Sequence, residues 1–229
     1  MISFDVGLSR EGQQFQFQAA LEGRITAVIG RSGSGKTTLA RMLAGLIRPS
    51  FGRIDFNGRC VFNAEAGVSL APEKRGVGYV FQTHRVFPHL SVRRNLAFAA
   101  EFCGRTSPIT TEAVADYLHL TALLDRPAST LSGGEAQRCS LGRAILAAES
   151  LLIMDEPFAN LDPALTEEML GYLEALPEIL NVPILLITHS PAQAKRLAPQ
   201  TLLIHQGRTV FYGETDKALM QPQYFGEHP

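Results

Sequence analysis

The sequence is organised around one glycine-rich stretch, Gly30-Arg31-Ser32-Gly33-Ser34-Gly35-Lys36-Thr37. It has the spacing G-x-x-x-x-G-K-[ST] of a phosphate-binding loop, and it stands between an apolar run at residues 25–29 and a helical pattern that begins at Thr38. Glycines in such a loop allow positive φ angles and a close backbone approach, so that successive N–H groups surround a polyphosphate. The sequence therefore predicts binding of a nucleoside triphosphate.

The end of this loop carries the side chains that we expect to act on the phosphates. Lys36 supplies a compact positive charge for the β and γ phosphates, and the Thr37 hydroxyl is the expected Mg²⁺ ligand. Apolar residues continue at helical spacing as far as Ile47, and Pro49 closes the segment. A coincidental glycine-rich turn would lack this order of strand, loop and helix. The expected nucleotide contacts are Gly30, Arg31, Ser32, Gly33, Ser34, Gly35, Lys36, Thr37 and Thr38.

Composition excludes several classes of partner. The chain has 21 basic and 22 acidic residues among 229, a net charge of −1, so no bulk positive field favours nucleic acid. Its three cysteines, Cys60, Cys103 and Cys139, lack the paired spacing of a zinc site or a disulfide framework, which predicts free thiols that are buried or half-buried. No secretory signal or membrane-spanning run is present, so we expect a soluble, cytoplasmic chain without nucleic acid.

The rest of the chain shows the pattern of an α/β protein. An antiparallel pair is predicted over residues 1–23, with a turn at Glu11-Gly12. The continuous apolar runs 151–154 and 184–187 are typical of parallel strands covered on both faces. A helix is predicted to start at Asp162-Pro163, with Asp as the cap. Further strands are predicted at 52–58 and 77–81, and helices over 91–124.

Two carboxylates follow the apolar run 151–154, at Asp155 and Glu156. A parallel strand that ends beside a phosphate loop is the expected place for a metal ion and a reacting water. We assign Asp155 to Mg²⁺ and Glu156 to the water that attacks the γ phosphate. An isolated Asp-Glu pair at a strand end often has no function, but its combination with a phosphate loop favours a catalytic role here.

A second glycine-bearing turn, Leu131-Ser132-Gly133-Gly134-Glu135, opens another helical pattern. Alone it would indicate only a helix cap. Together with the other motifs, however, it resembles the signature of the nucleotide-binding subunit of an ABC transporter. The resemblance covers nearly the whole chain: phosphate loop 30–37, Gln82 at the Q-loop position, signature 131–135, Asp155-Glu156 ending Walker B, Leu161-Asp162 in the D-loop, and His189 in the switch position.

The resemblance implies a fold and a dimer. The fold is that of a RecA-like P-loop NTPase: a parallel-sheet core with a small antiparallel β element, formed by residues 1–86 and 148–229, and an inserted helical subdomain at 87–147. The family works as a head-to-tail homodimer in which the signature turn of one chain caps the ATP held by Lys36 of the other. The expected contacts in trans are Ser132, Gly133, Gly134 and Glu135.

The resemblance also implies catalytic roles and membrane partners. Glu156, His189 and Gln82 are the expected catalytic residues, and Thr37, Gln82 and Asp155 are the expected Mg²⁺ ligands; the other histidines have no such support. Residues Thr83 to Leu90 resemble the surface on which integral-membrane permease subunits dock. We therefore expect a peripheral protein on the cytoplasmic face of the inner membrane, served indirectly by a solute-binding protein.

The transported solute is indicated only by the resemblance to ATPases of known importers. Residues 72–82 and Phe87-Pro88-His89 resemble molybdate importer ATPases, whereas Asp155-Glu156-Pro157-Phe158 is also similar to thiamine and iron importers. Many molybdate importer ATPases have a C-terminal regulatory domain, and regulation by such a domain is not expected here. The family often stacks adenine on an aromatic residue upstream of the phosphate loop, but the sequence does not align Phe4, Phe15 or Phe17 with that position.

Two other classes of function compete with transport. A soluble ABC protein acting on DNA or ribosomes shares these motifs, but such proteins usually add long coiled coils, a second nucleotide domain or basic surfaces, which this sequence lacks. A catalytically dead regulatory module is disfavoured because Lys36, Ser132, Glu156 and His189 are intact.

Overall fold

A computed structural model describes residues 1–10, 12–83, 85–103, 109–159 and 161–222, without the side chains of residues 10 and 99–103. These residues form two compact units. The first contains Met1–Arg75 and the chain from Pro183 onward, and the second contains Gly76–Val182. None of the helices in the described ranges is long and apolar enough to cross a membrane.

The chain contains runs of consecutive strands, β1–β3 and β4–β7 in the numbering that follows, and one run of consecutive helices, α2–α4. The strands are β1 (Ile2–Arg10), β2 (Gln13–Leu21), β3 (Ile25–Ile29), β4 (Phe51–Phe56), β5 (Arg59–Asn63), β6 (Val68–Ser69), β7 (Val77–Val80), β8 (Leu151–Asp155), β9 (Ile184–Ile187), β10 (Gln200–His205) and β11 (Arg208–Glu214). The helices are α1 (Lys36–Ala44), α2 (Val92–Cys103), α3 (Thr111–Tyr117), α4 (Gly133–Ala147), α5 (Pro163–Ile179), α6 (Pro191–Leu197) and α7 (Thr215–Leu219). Short 3₁₀ turns lie at Pro72–Lys74, Thr121–Leu123 and Ala128–Thr130.

The first unit is built on a mixed sheet in the order β6-β5-β4-β1-β2-β11-β10-β3-β9. The predicted antiparallel pair is confirmed as β1 and β2, which pair from Ile2 opposite Leu21 to Arg10 opposite Gln13; Glu11 of the predicted turn lies outside the described residues. Strand β3 pairs in parallel with both β9 and β10. All residues of β3 and β9 are buried, as their continuous apolar runs predict.

The second unit combines two strands with packed helices. Strands β7 and β8 pair in parallel, with Val77 opposite Leu151. Helix α4 approaches α2 and α3 closely at Gly142, where an added Cβ would lie 2.6 Å from Leu96 Cδ2 on α2 and 3.1 Å from Val114 Cγ1 on α3. The predicted cap of α5 is confirmed, because Asp162 Oδ1 accepts a hydrogen bond of 2.9 Å from the Leu165 N–H.

The prediction for the first helix was wrong at both ends. Helix α1 begins at Lys36 rather than Thr38, and it ends at Ala44 rather than continuing through Ile47. It stops because Gly45 adopts a left-handed conformation with φ of 81°. The guanidinium of Arg75 then occupies the space beyond, donating hydrogen bonds of 2.8 Å and 3.1 Å to the carbonyls of Met42 and Leu43.

The boundaries of the two compact units are not those of the domains predicted from the sequence. They divide the chain after Arg75 and after Val182, whereas the sequence predicts boundaries after residues 86 and 147. Strands β7 and β8 pair with each other and β7 contacts α4, so the second unit includes these strands. A functional helical subdomain at 87–147 stays a prediction.

Candidate functional site

The phosphate loop lies in the first unit, between buried β3 and α1. Its glycines adopt backbone angles that other residues rarely take: φ is 78° at Gly33 and 107° at Gly35. Gly30 is required for a second reason, since an added Cβ would lie 2.2 Å from the Ile204 carbonyl oxygen. The loop is therefore held tightly against β10, and its shape requires glycine at these places.

Lys36 is folded back across the loop. Its Nζ donates hydrogen bonds of 2.9 Å to the Gly30 carbonyl and 3.0 Å to the Arg31 carbonyl, and the residue is only 7% exposed. Thr37 and Thr38, in the first turn of α1, are half-buried. Because the first N–H groups of a helix have no partner within the helix, this end of α1 suits a bound phosphate. The geometry fits the predicted roles of Lys36 and Thr37.

A turn that the sequence analysis did not identify supports the loop from β10 and β11. The Gly207 N–H donates to the Ser34 carbonyl at 2.8 Å, and the Gly207 carbonyl accepts from the Gln16 N–H at 2.7 Å. The ring of Phe15 packs against the same place, within 3.1 Å of a Cβ added at Gly35 or Gly207. The dipeptide Gln206-Gly207 is a recognisable turn signal, but nothing in the sequence indicates its contact with the loop.

His189 lies at the edge of the sheet where the phosphate loop begins. Ile187 of β9 pairs with Val28 of β3, and the Thr188 N–H donates to the Val28 carbonyl at 3.3 Å. His189 follows directly and is exposed. The first unit thus brings the predicted switch histidine and the start of the loop to the carboxyl ends of adjacent parallel strands.

The second unit brings together the predicted acidic residues and the predicted glutamine. Asp155, the last residue of β8, is buried, and its Oδ2 accepts a hydrogen bond of 3.0 Å from the Tyr79 hydroxyl. Glu156 is half-buried, and its Oε2 accepts a hydrogen bond of 3.1 Å from Gln82 Nε2. Tyr79 was missed by sequence reasoning, although its place on β7 beside β8 follows once the two strands are paired.

The signature turn is a helix cap with an exposed backbone. Ser132 Oγ accepts from the Glu135 N–H at 3.3 Å, and Glu135 Oε2 accepts from the Ser132 N–H at 2.7 Å. The hydrogen bond from the Ser132 backbone lowers the pKa of Glu135. Gly133 is exposed and has nothing within 4 Å of an added Cβ, whereas Gly134 packs against Leu165. The turn can therefore present backbone N–H groups to a ligand.

The segment predicted to dock a permease is held by Asn95. Its Oδ1 accepts from the Phe87 N–H at 2.8 Å, and its Nδ2 donates to the Phe87 carbonyl at 3.0 Å. The guanidinium of Arg143 lies 4.6 Å from the Phe87 ring centroid, and that of Arg85 lies 4.3 Å from the Phe81 ring centroid. His84 lies outside the described residues. Docking on this segment stays a prediction.

The thiols agree with the sequence analysis where they are described. Cys60 and Cys139 are free, and Cys139 is buried whereas Cys60 is half-buried. Burial raises the pKa of the Cys139 thiol to about 11. The side chain of Cys103 lies outside the described residues.

A glycine-rich loop between a buried parallel strand and a helix, in a mixed sheet of this order, defines an α/β protein of the P-loop NTPase class. A solved structure supports the fold. The chain superimposes on cbiO1 from Clostridium perfringens with a TM-score of 0.76 and 22% sequence identity, over 97% of this chain and 91% of that one. The cbiO1 protein is described as part of the ABC transporter complex cbiONQ.

Sequence comparisons identify the family. The ABC transporter family profile matches residues 14–159, and the chain therefore belongs to the ABC transporter family. It is 45% identical over 199 residues to the molybdenum import ATP-binding protein ModC of Rhodospirillum rubrum, covering 86% of this chain and 54% of the relative. It is 42% identical over 223 residues to the ModC protein of Paramagnetospirillum magneticum, covering 95% of this chain and 61% of the relative. The chain thus spans little more than half the length of these relatives.

Proposed function

We propose that this chain binds and hydrolyses ATP to energise an ABC importer of molybdate or a related oxyanion. The observation that carries this proposal is the identity of 42% and 45% to proteins named molybdenum import ATP-binding protein ModC, which extends over most of this chain. The phosphate loop and the paired Gln82 and Glu156 supply the parts that ATP hydrolysis requires. Thiamine and iron importers are the alternatives within the same class of transporter.

The phosphate loop acts on the nucleotide by binding and orienting it. Backbone N–H groups of residues 30–38 surround the β and γ phosphates, and the Lys36 ammonium leaves its two carbonyl partners to pair with them. The first turn of α1 favours the negative charge. Phe15 is the candidate for stacking on the adenine, because it packs against the loop and is half-buried, whereas Phe4 and Phe17 are buried in the core.

Thr37, Gln82 and Asp155 are the proposed Mg²⁺ ligands. They offer a hydroxyl, an amide oxygen and a carboxylate, all oxygen donors of the kind that this small, hard cation prefers. Mg²⁺, when bound, offsets the charge of the β and γ phosphates. The Tyr79 hydroxyl holds one carboxylate oxygen of Asp155 and so fixes its orientation.

Glu156 is the proposed general base. Its carboxylate takes the proton of the attacking water, while the hydrogen bond from Gln82 orients it. His189 donates to the γ phosphate as charge develops there. In a head-to-tail homodimer, the turn Ser132–Glu135 of the second chain would contact the same phosphates through the backbone N–H groups of Gly133 and Gly134, because those of Ser132 and Glu135 already donate within the helix cap. Each ATP would then join two chains.

Transport requires partners in the membrane. We propose the permease contact at residues Thr83 to Leu90, where Arg85 is exposed and the half-buried Phe87 is hydrogen-bonded to Asn95 of α2. A solute-binding protein acts on the far side of the permease. These contacts would hold the chain at the cytoplasmic face of the inner membrane.

Two assays test the proposal. The first measures ATP hydrolysis by the wild-type chain, by Glu156→Gln, and by Glu174→Gln, an exposed acidic residue on α5 that serves as the matched control. Glu156→Gln should bind ATP yet lose turnover by about 10²–10⁴-fold, because the general base is absent. Rapid hydrolysis by Glu156→Gln would remove that residue from its role.

The second assay identifies the cargo. The tagged chain is recovered from its own membranes in mild detergent, and the complex is tested for ATPase stimulation by binding proteins loaded with molybdate, thiamine or iron. Co-purification of a permease and stimulation by molybdate alone support the proposal. Stimulation by another solute would reassign the cargo, and recovery of ribosomes or DNA-repair proteins without a permease would overturn transport.

A further inference from the structure

The backbone at Glu156 is strained. This residue has φ of 51°, in the left-handed region that residues other than glycine rarely adopt. The proline that follows it restricts its backbone further. Conformations of this kind persist only where surrounding contacts hold them, and they occur often at functional sites. Hydrogen bonds from Ala159 and Gln137 contribute to holding the Glu156-Pro157 turn.

The first of these bonds is local, and the second comes from another element. The Ala159 N–H donates to the Glu156 carbonyl at 3.1 Å. Gln137, on α4, donates from Nε2 to the Pro157 carbonyl at 2.6 Å, and the glutamine is only 2% exposed. Because the proline ring already sets φ at residue 157, a fixed carbonyl also sets its ψ. Gln137 therefore immobilises the residue that follows Glu156.

In the described part of the chain, no other hydrogen bond accounts for the polar group of Gln137. Its Oε1 is buried and has no hydrogen-bond partner among the described residues. Burying an amide with half of its capacity unused is unfavourable, so an apolar side chain would suit helix packing better. The hydrogen bond to Pro157 is what the amide contributes at this position.

We propose that Gln137 is a positioning residue for ATP hydrolysis, which orients the Glu156 carboxylate by holding the Pro157 carbonyl. Gln82 donates a hydrogen bond to the Glu156 carboxylate itself, and Gln137 donates one to the main chain of the next residue, Pro157. Helix α4 also carries the Ser132–Glu135 turn at its first residues, so a displacement of that turn moves Gln137 with it. This inference rests on the proposed role of Glu156 as general base.

The test compares Gln137→Met with Ser140→Ala in the full chain. Met matches the length of Gln but has no N–H donor. Ser140 is the matched control, because it lies on the same helix, is 1% exposed, and has a hydroxyl with no partner among the described residues. We expect Gln137→Met to lower kcat by about 10- to 100-fold, the scale of a misplaced catalytic group, with ATP affinity unchanged within about two-fold. Ser140→Ala should leave both unchanged.

A second variant, Gln137→Glu, provides a pH readout that a purely structural role would not give. An ionised glutamate cannot donate to the Pro157 carbonyl, whereas a protonated one can. Burial raises the pKa of such a carboxyl. The rate of Gln137→Glu relative to wild type should therefore rise as the pH is lowered from about 8 to about 6.

The outcomes separate this inference from the proposed function. If Glu156→Gln is inactive while Gln137→Met turns over at the wild-type rate, Gln137 has no positioning role and the function stands. If Glu156→Gln itself hydrolyses ATP rapidly, the proposed function fails first. Thermal melts show which variants are folded at the assay temperature. If Gln137→Met is unfolded there, the test is the ATPase rate of Gln137→Glu relative to wild type, and a relative rate that does not change with pH would overturn the inference.

Discussion

Replacing Gly207 by alanine should lower both the stability of the fold and the affinity for nucleotide, whereas the same replacement at Gly58 should lower only the stability. The two glycines are a matched pair. Each is the second residue of a turn between antiparallel strands, Gln206-Gly207 between β10 and β11 and Asn57-Gly58 between β4 and β5. The φ angles are 45° and 78° in the first turn, and 50° and 80° in the second. A left-handed alanine costs about 1–2 kcal/mol in either turn.

The surroundings of the two glycines are different. A Cβ at Gly58 has nothing within 4 Å, whereas one at Gly207 would lie 2.8 Å from the Gln14 carbonyl oxygen and 3.1 Å from Phe15 Cδ1. Alanine at 207 must therefore move the turn away from β2. That movement breaks or lengthens the hydrogen bonds to Ser34 and Gln16.

The structure gives a magnitude for both variants. Gly58→Ala should lower the free energy of unfolding by about 1–2 kcal/mol, from the backbone alone. Gly207→Ala adds the loss of two hydrogen bonds, each with a net value of about 0.5–1.5 kcal/mol, for a total of about 2–5 kcal/mol. Because Ser34 lies within the phosphate loop, the loop loses preorganisation and ATP affinity should fall about tenfold, or about 1.4 kcal/mol.

Urea unfolding gives the stability of each variant, and titration with a fluorescent ATP analogue gives its affinity at a temperature where both are folded. The decisive comparison is the affinity of Gly207→Ala for the ATP analogue against that of Gly58→Ala. Equal affinities in the two variants, or a wild-type affinity for Gly207→Ala despite its lower stability, would refute the view that the Gln206-Gly207 turn shapes the phosphate loop.

Three further predictions concern buried groups. Arg75→Met should lower the free energy of unfolding, measured in urea titrations, by about 2–4 kcal/mol, because the carbonyls at the end of α1 lose the hydrogen bonds that Arg75, only 1% exposed, donates to them. Arg41→Met, at an exposed site on the same helix, should have little effect. Burial raises the pKa of Tyr117 to about 12. The unfolded chain ionises first, so stability should fall as pH rises from about 10 through about 12, and less steeply in Tyr117→Phe; equal slopes would contradict this. Alkylation of the native chain near neutral pH, followed by peptide mass mapping, should modify Cys60 well before Cys139, whose thiol is buried and has a pKa raised to about 11.

Local patterns in the sequence were sufficient for most elements of the fold. The phosphate loop, the strands at 151–154 and 184–187, and the start of α5 at Asp162 were all predicted within a residue or two. Each depends on neighbours in the sequence: glycines where φ must be positive, an apolar run where both faces are covered, and a carboxylate that accepts from an N–H three residues on.

The errors and omissions have a different origin. Helix α1 was predicted to continue through Ile47 because its apolar spacing continues, but Gly45 and the guanidinium of Arg75 end it. Arg75 comes from a loop more than 30 residues later in the chain, since its bonds to Met42 and Leu43 span 33 and 32 residues. A single sequence does not indicate which distant side chain reaches a helix end.

The sequence by itself determined the class of protein and the residue types at the candidate site, because phosphate binding needs particular residues at fixed spacing within one short stretch. Only the tertiary structure decided what holds those residues in place. Tyr79 on Asp155, Gln137 on Pro157 and Gly207 on Ser34 are partners from other elements. Such contacts are selected by packing between segments that are distant in the chain, so they leave no local pattern from which they could be predicted.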